Sequence, residues 1–339
     1  MLASRSGADT LCPAGKAART IRGSTVLACS NRTTYSTPPN FSVRSPDFVS
    51  QSTLTIPDFL QEEYPFEPKA LDLDGLRYSY VDEGQGPTLL FVHGNPTWSF
   101  AWRRLIKHFS PNYRCIAVDH IGMGLSDKPQ DYGYRIDQHI GNLERLIQEL
   151  DLTDVTLIGH DWGGCIGMGA AGRLADRFSR FVMMNTAAFR STQIPFRIAV
   201  CRIPLFGALA VRGLNLFSVA ALSMAVEHRM PRRVRKGYVF PYDSWGHRQA
   251  VHRFVEEIPL KPSHPTYATL VDVENGLEQF RDHPMQLIWG TQDWCFTTTF
   301  LEEWEERFPR ASTLRLDAGH YVFEDAHDAI VAKLSEFLA

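Results

Sequence analysis

Apolar and polar positions alternate in "LDLDGLRYSYVDEG" (71–84) on either side of Asp74-Gly75, a pattern that predicts a β-hairpin. Three short apolar runs follow: "TLLFVHGNP" (88–96), "RCIAVDHIGMG" (114–124) and "VTLIGHDWGG" (155–164). Each ends in a loop rich in Gly, Asp or His. Between them, "SFAWRRLIKHF" and "IGNLERLIQELDL" carry helical spacing. A fourth run, "RFVMMNTAA" (180–188), precedes a long aromatic-rich helical stretch. The strand pattern then resumes at "MQLIWGTQD" (285–293) and "STLRLDAGH" (312–320), before a closing helix near "EDAHDAIVAKLSEFL". Near-continuous apolar strands alternating with helices predict a mostly parallel sheet covered on both faces. The core is expected to span 57–188 and 284–339, with a helical cap over 189–283 inserted after the sixth strand. In such sheets ligands bind beyond the carboxyl ends of the strands.

Composition narrows the function classes. The chain has 339 residues, 44% hydrophobic and 22% charged, enough for a sizeable core. A net charge of −3 gives no overall attraction to phosphate backbones or anionic bilayers, so neither nucleic acid nor a membrane is expected as a partner. Six scattered cysteines, without a C-x-x-C pair, fit a reducing, cytoplasmic setting and argue against a zinc site. The most apolar stretch, 203–226, is broken by Arg212 and Asn215 and falls short of a membrane span, so it reads as packed helix. Residues 1–56 differ in character: the first fifty are rich in Ser, Thr and Pro and carry Arg5, Lys16, Arg19, Arg22, Arg32 and Arg44 against only Asp9 and Asp47. The expectation is a disordered N-terminal extension; its composition overlaps with transit peptides, and it has no apolar stretch suited to secretion.

The chemistry gathers at predicted strand ends. Gly159-His160-Asp161-Trp162-Gly163 has the G-x-nucleophile-x-G form of a strained strand-to-helix elbow. Alone, Asp161 would read as a helix N-cap. Asp293 and His320, however, close two later strands, giving the chain order nucleophile, acid, histidine that marks an α/β-hydrolase triad. A serine in the elbow needs a base to remove its proton, whereas an aspartate is ordinarily ionised at neutral pH, which leaves the histidine free for another task. The loop "HGNPTWSFAW" (93–102) supplies Asn95, whose backbone N–H, with that of Trp162, is expected to form an oxyanion hole. Their carboxamide and indole N–H groups donate hydrogen bonds without delivering a proton. Such donors suit an anion that departs unprotonated. His120 and His160 lie nearby in sequence without a clear partner.

Through "HGNPTWSFAWR", "DHIGMGLSDKP", "GHDWGG" and "DAGHYVFED", the chain from about residue 60 onward resembles the haloalkane dehalogenases of the α/β-hydrolase superfamily. The resemblance implies Asp161 as nucleophile, His320 as base, Asp293 as its carboxylate partner, and Asn95 and Trp162 as halide donors. Some members place the acid after the strand matching "VMMNTAA", but Asn185 and its neighbours offer no carboxylate there; the pattern is similar to the family's third subfamily. The implied reaction converts a small haloalkane and water to primary alcohol and halide through an aspartyl alkyl ester, in a monomer or weak homo-oligomer, with no cofactor and no metal. Two alternatives stand beside it. An epoxide hydrolase would share the triad and use cap tyrosines, for which Tyr238, Tyr242 and Tyr267 are candidates. A binding protein would reuse the fold without turnover. A fluoroacetate-type enzyme would be expected to carry arginine where this chain has Trp162. The apolar cap residues Phe196, Leu205, Phe206, Leu214, Phe217 and Met224 are expected mainly to pack, with pocket lining as the other option.

Overall fold

Asp74 and Gly75 both adopt positive φ, 56° and 89°, as a type I′ turn requires. They join β1 (Lys69–Leu73) to β2 (Leu76–Glu83), antiparallel with Leu73 opposite Leu76. This computed structural model describes residues 55–339, so the expectation for the N-terminal extension falls almost wholly outside the described residues.

The remaining strands are β3 (Thr88–Val92), β4 (Arg114–Val118), β5 (Val155–Asp161), β6 (Phe178–Thr186), β7 (Met285–Gly290) and β8 (Ser312–Leu316). Together they form one eight-stranded sheet in the order β1-β2-β4-β3-β5-β6-β7-β8. β2 pairs antiparallel with β1 and β4; every other pairing is parallel. β3, β5 and β7 are buried along their whole length because helices cover both faces. The two-residue period of a strand divides β3 between two cores: Leu90 and Val92 pack with Ile140, Leu143 and Ile166, while Leu89 and Phe91 pack with Ile106 and Leu334.

Between β6 and β7 the chain forms short helical pieces, among them Phe196–Val200, Phe206–Ala208 continued by a π turn at Leu209–Gly213, Leu216–Met224, Arg232–Val239, Gln249–Glu256 and Tyr267–Gly276. Here the expectation of packed helix over 203–226 needs correction. The segment is bent by 71° between its two helical arms, and much of its apolar surface faces outward, including Ile203, Leu205, Leu209, Leu214 and Val219. Pro204, Gly213 and Asn215 interrupt the helix before it can lay one continuous stripe on the core. Among the described residues no single helix is long and apolar enough to cross a membrane.

A buried ion pair within the core receives a hydrogen bond from this insertion. Arg103 is 1% exposed and donates to Glu324 through Nη1 and Nη2 at 2.5 and 3.1 Å, to the Phe100 carbonyl at 3.1 Å, and to Glu63 through Nε at 3.4 Å. Tyr238, in helix Arg232–Val239, donates its hydroxyl to the same Glu324 at 2.5 Å. Arg103→Met would leave the Glu324 carboxylate buried without its cation, so unfolding in denaturant is expected to show a loss of about 3–5 kcal/mol. A change under about 1 kcal/mol would mean that solvent or another cation neutralises Glu324.

Candidate active site

β5 ends in a sharp elbow. Asp161 stands at φ 53° and ψ −132°, a strained conformation for a residue with a side chain, immediately before helix Trp162–Arg173. The Thr186 hydroxyl on β6 donates to the Asp161 carbonyl and so holds the elbow against the sheet. Gly163 is required here, because a Cβ would collide with the Val92 carbonyl at the end of β3. Gly94 plays the same part opposite, where any side chain would occupy the space of the Asp161 carboxylate. Both glycines let the ends of β3 and β5 approach closely.

The structure brings the three sequence-predicted carboxyl and imidazole groups together. His320 Nε2 lies 3.5 Å from Asp161 Oδ2, and His320 Nδ1 donates to Asp293 Oδ2 at 2.8 Å. All three residues are buried, at 7%, 3% and 7% exposure for Asp161, Asp293 and His320. Asp293 is further fixed by the Cys295 backbone N–H at 2.7 Å and by Asn185 Nδ2 at 2.9 Å. Burial alone would raise the Asp293 carboxyl, yet His320, with the Cys295 N–H, outweighs it and holds the pKa below the usual carboxylate value. For His320 burial opposes the imidazolium, but Asp293 and Asp161 overcome that penalty and push its pKa up to about 10.

The sign of that shift gives a stability prediction. A histidine whose pKa is raised by folding stabilises the fold fully below its unfolded value near 6.5, and the contribution is lost as pH climbs through about 10. The stability difference between wild type and His320→Gln should therefore shrink progressively from about pH 6.5 to 10 in chemical denaturation. A difference independent of pH over that window would contradict the imidazolium assignment.

Asn95 and Trp162 flank the carboxylate. The Asn95 backbone N–H donates to Asp161 Oδ1 at 2.7 Å. The Asn95 Nδ2 donates to the Val251 carbonyl at 3.0 Å, which fixes the amide orientation because a carbonyl only accepts. One N–H of that amide is thereby used and the other is left over. Trp162 is half-buried against Phe254, with ring centroids 6.1 Å apart, and its backbone N–H opens a helix where no intrahelical acceptor exists. Asn95, Asp161, Trp162 and His320 share one cavity of about 590 Å³. Its walls are otherwise mainly apolar and include Phe206, Phe217, Met224, Leu270 and Phe300.

Of the cap residues expected mainly to pack, Phe206, Phe217 and Met224 line this cavity, while Phe196, Leu205 and Leu214 do not and are exposed. The candidate cap tyrosines stand away from it. Tyr238 is bonded to Glu324, Tyr242 donates to the Thr97 carbonyl at 3.1 Å, and Tyr267 is not among the lining residues. Two histidines without an obvious partner in the sequence have one here. His160 Nε2 donates to the His320 carbonyl at 2.9 Å, and His120 Nε2 donates to the His93 carbonyl at 2.9 Å. Burial drives the pKa of both down, His160 to about 3 and His120 to about 4, so both are neutral spacers beneath the site. In the sequence Asn185 stands where some family members carry the acid. Its position explains itself in three dimensions: Nδ2 also reaches the Gly290 carbonyl at 3.1 Å and Oδ1 accepts the Gly290 N–H at 2.8 Å, bracing the loop that carries Asp293. Only a polar residue at the end of a strand next to that loop hinted at this role.

Comparison with known proteins places this arrangement. Residues 87–206 match the family model of the α/β hydrolase fold. The chain is 40% identical over 282 residues to a cis-3-alkyl-4-alkyloxetan-2-one decarboxylase of Shewanella oneidensis, covering 81% of this chain and 89% of that protein. It is 33% identical over 280 residues to haloalkane dehalogenase 2 of Mycobacterium tuberculosis, covering 80% and 95%. A crystal structure of a variant of the haloalkane dehalogenase DatA from Agrobacterium tumefaciens superposes with a TM-score of 0.72 at 25% identity, covering 80% of this chain and 96% of that one. With the sheet order, the helical cap after the sixth strand and these relatives together, the chain belongs to the haloalkane dehalogenase family of the α/β-hydrolase superfamily.

Proposed function

We propose that this chain is an enzyme in which Asp161 displaces an anionic leaving group from an alkyl carbon of a lipophilic substrate, and that the substrate is a cis-3,4-dialkyl β-lactone. The observation that carries the reading is the Asp161 carboxylate, held by the Asn95 N–H and set beside His320, in an apolar cavity of about 590 Å³. Similarity to the oxetanone decarboxylase supports this choice of substrate. The cavity's size and apolar lining suit two alkyl chains.

The chemistry balances without water. Asp161 attacks ring carbon C4 from the side opposite its ring oxygen; the C4–O bond breaks, and the ring opens to a free carboxylate on C3. Asn95 and Trp162 donate N–H groups to that departing carboxylate, an anion that, like halide, needs no proton. In the second step the bond from C3 to the carboxylate breaks, its electron pair forms the C3–C4 double bond, and the C4–O bond to Asp161 breaks. Carbon dioxide leaves, an alkene remains, and Asp161 is regenerated as carboxylate. Inversion at C4 followed by anti fragmentation keeps the two alkyl groups on one side, so a cis lactone gives a cis alkene. His320, held as imidazolium by Asp293, stabilises Asp161 as it leaves.

Hydrolysis of haloalkanes is the second reading, supported by the 33% identity to a haloalkane dehalogenase and by the Asn95 N–H on the oxygen that would become the ester carbonyl. There, esterification of Asp161 would remove one of the two carboxylates that hold the proton on His320, freeing the imidazole to activate water. Purified protein incubated separately with a long-chain cis-3,4-dialkyl β-lactone, 1-bromohexane and styrene oxide separates the readings. Cis alkene with carbon dioxide is the expected result. Bromide release without alkene would transfer the assignment to dehalogenation, and diol alone would overturn both.

A further inference from the structure

The outward face of the insertion has a composition unlike the rest of the chain. From Arg190 to Val226 there is no Asp or Glu, while Arg190, Arg197, Arg202 and Arg212 are present. Among the described residues only Arg190 of these four forms a salt bridge, with Glu274. Arg202 donates to the Ile258 carbonyl, and Arg212 to the Trp245 carbonyl and to Gln130. Among these cations stand large exposed side chains: Phe196 at 81%, Leu205 at 88%, with Ile203, Leu209, Leu214 and Val219. Leu205 has φ 65°, which puts a leucine at a turn where Gly or Asn is the usual choice. Exposed Trp245 lies beside this face, close to Gly213, with the Arg212 guanidinium 4.4 Å from its ring centroid. The face is continuous with the cavity, since Phe206 and Leu216 are both exposed and lining.

We infer that this face docks on the surface of a bilayer containing anionic phospholipid, with leucines and phenylalanine in the acyl boundary and the arginines at headgroup level. The occupant follows from charge: Arg197, Arg202 and Arg212, which form no salt bridge among the described residues although Glu256 lies near the last two, plus an interfacial tryptophan, complement anionic headgroups, while the chain as a whole is weakly acidic. Overall charge gives no attraction to a bilayer; the local distribution on this face does. The function it serves rests on the lipophilic substrate proposed above, which would pass from the bilayer into the cavity without crossing water.

Flotation of the full chain with vesicles tests this, using phosphatidylcholine alone and an equal mixture of phosphatidylcholine and phosphatidylglycerol. The chain is expected to float with the mixed vesicles and at least tenfold less when Leu205→Asp and Leu214→Asp are combined, two residues outside the cavity lining. Circular dichroism and thermal melting of the double variant should match wild type, and its alkene formation from detergent-dispersed lactone should be unchanged. Wild type that stays with neither vesicle overturns the inference. So does flotation that survives the double substitution, or a dimer in solution that the double substitution splits. Flotation is read without turnover, so a failure of the lactone assay leaves this result standing, and the reverse.

Discussion

Replacing Asp161 by asparagine is expected to lower lactone turnover by about 10⁴-fold or more, the scale seen when a covalent nucleophile is removed. The change is nearly isosteric, and the Asn95 backbone N–H can still donate to the amide oxygen, so the elbow is retained. Cavity shape and substrate affinity should therefore change little, placing the loss in kcat with KM within about threefold. An intact rate in this variant would mean that His320 or another group delivers the chemistry, and no displacement mechanism through Asp161 would survive it.

His320→Gln is the second large effect, and it separates the two steps. With a bromoalkane, the variant should release about one bromide per protein and then stop, because the ester formed on Asp161 has lost the base that activates water. With the β-lactone, fragmentation consumes no water, so turnover should continue, lowered by about 10²–10³-fold through loss of the imidazolium beside the departing carboxylate. Equal arrest on both substrates would place water attack in the lactone reaction as well.

The fold was legible because its signals are local. Buried parallel strands are largely apolar, and their C-terminal loops carry Gly, Asp or His where chains converge; β3, β5 and β7 are buried along their whole length and apolar over most of it. The turn at Asp74-Gly75 was equally explicit. Asp161, Asp293 and His320 could be picked out because each closes a strand, and strand ends are what the topology brings together. Residues that act through long-range contacts left weaker marks. Asn185 braces Asp293 across 108 positions, and Tyr238 reaches Glu324 across 86. The insertion was least legible, since apolar residues at helical spacing are the same whether they pack, line a cavity or face outward. Phe217 lines the cavity, while Leu214, three positions away, is exposed. The leaving group is encoded least of all: neutral N–H donors serve halide and carboxylate alike, so residues at the elbow do not distinguish a dehalogenase from a lactone decarboxylase.

The most direct test of the central claim is rapid-quench mass spectrometry of wild-type protein mixed with a cis-3,4-dialkyl β-lactone, with the peptide containing Asp161 mapped at each time. The account predicts a transient adduct on Asp161 equal in mass to the intact lactone, decaying at the rate at which alkene appears. Full turnover with no adduct on Asp161, or with the adduct on another residue, would contradict it.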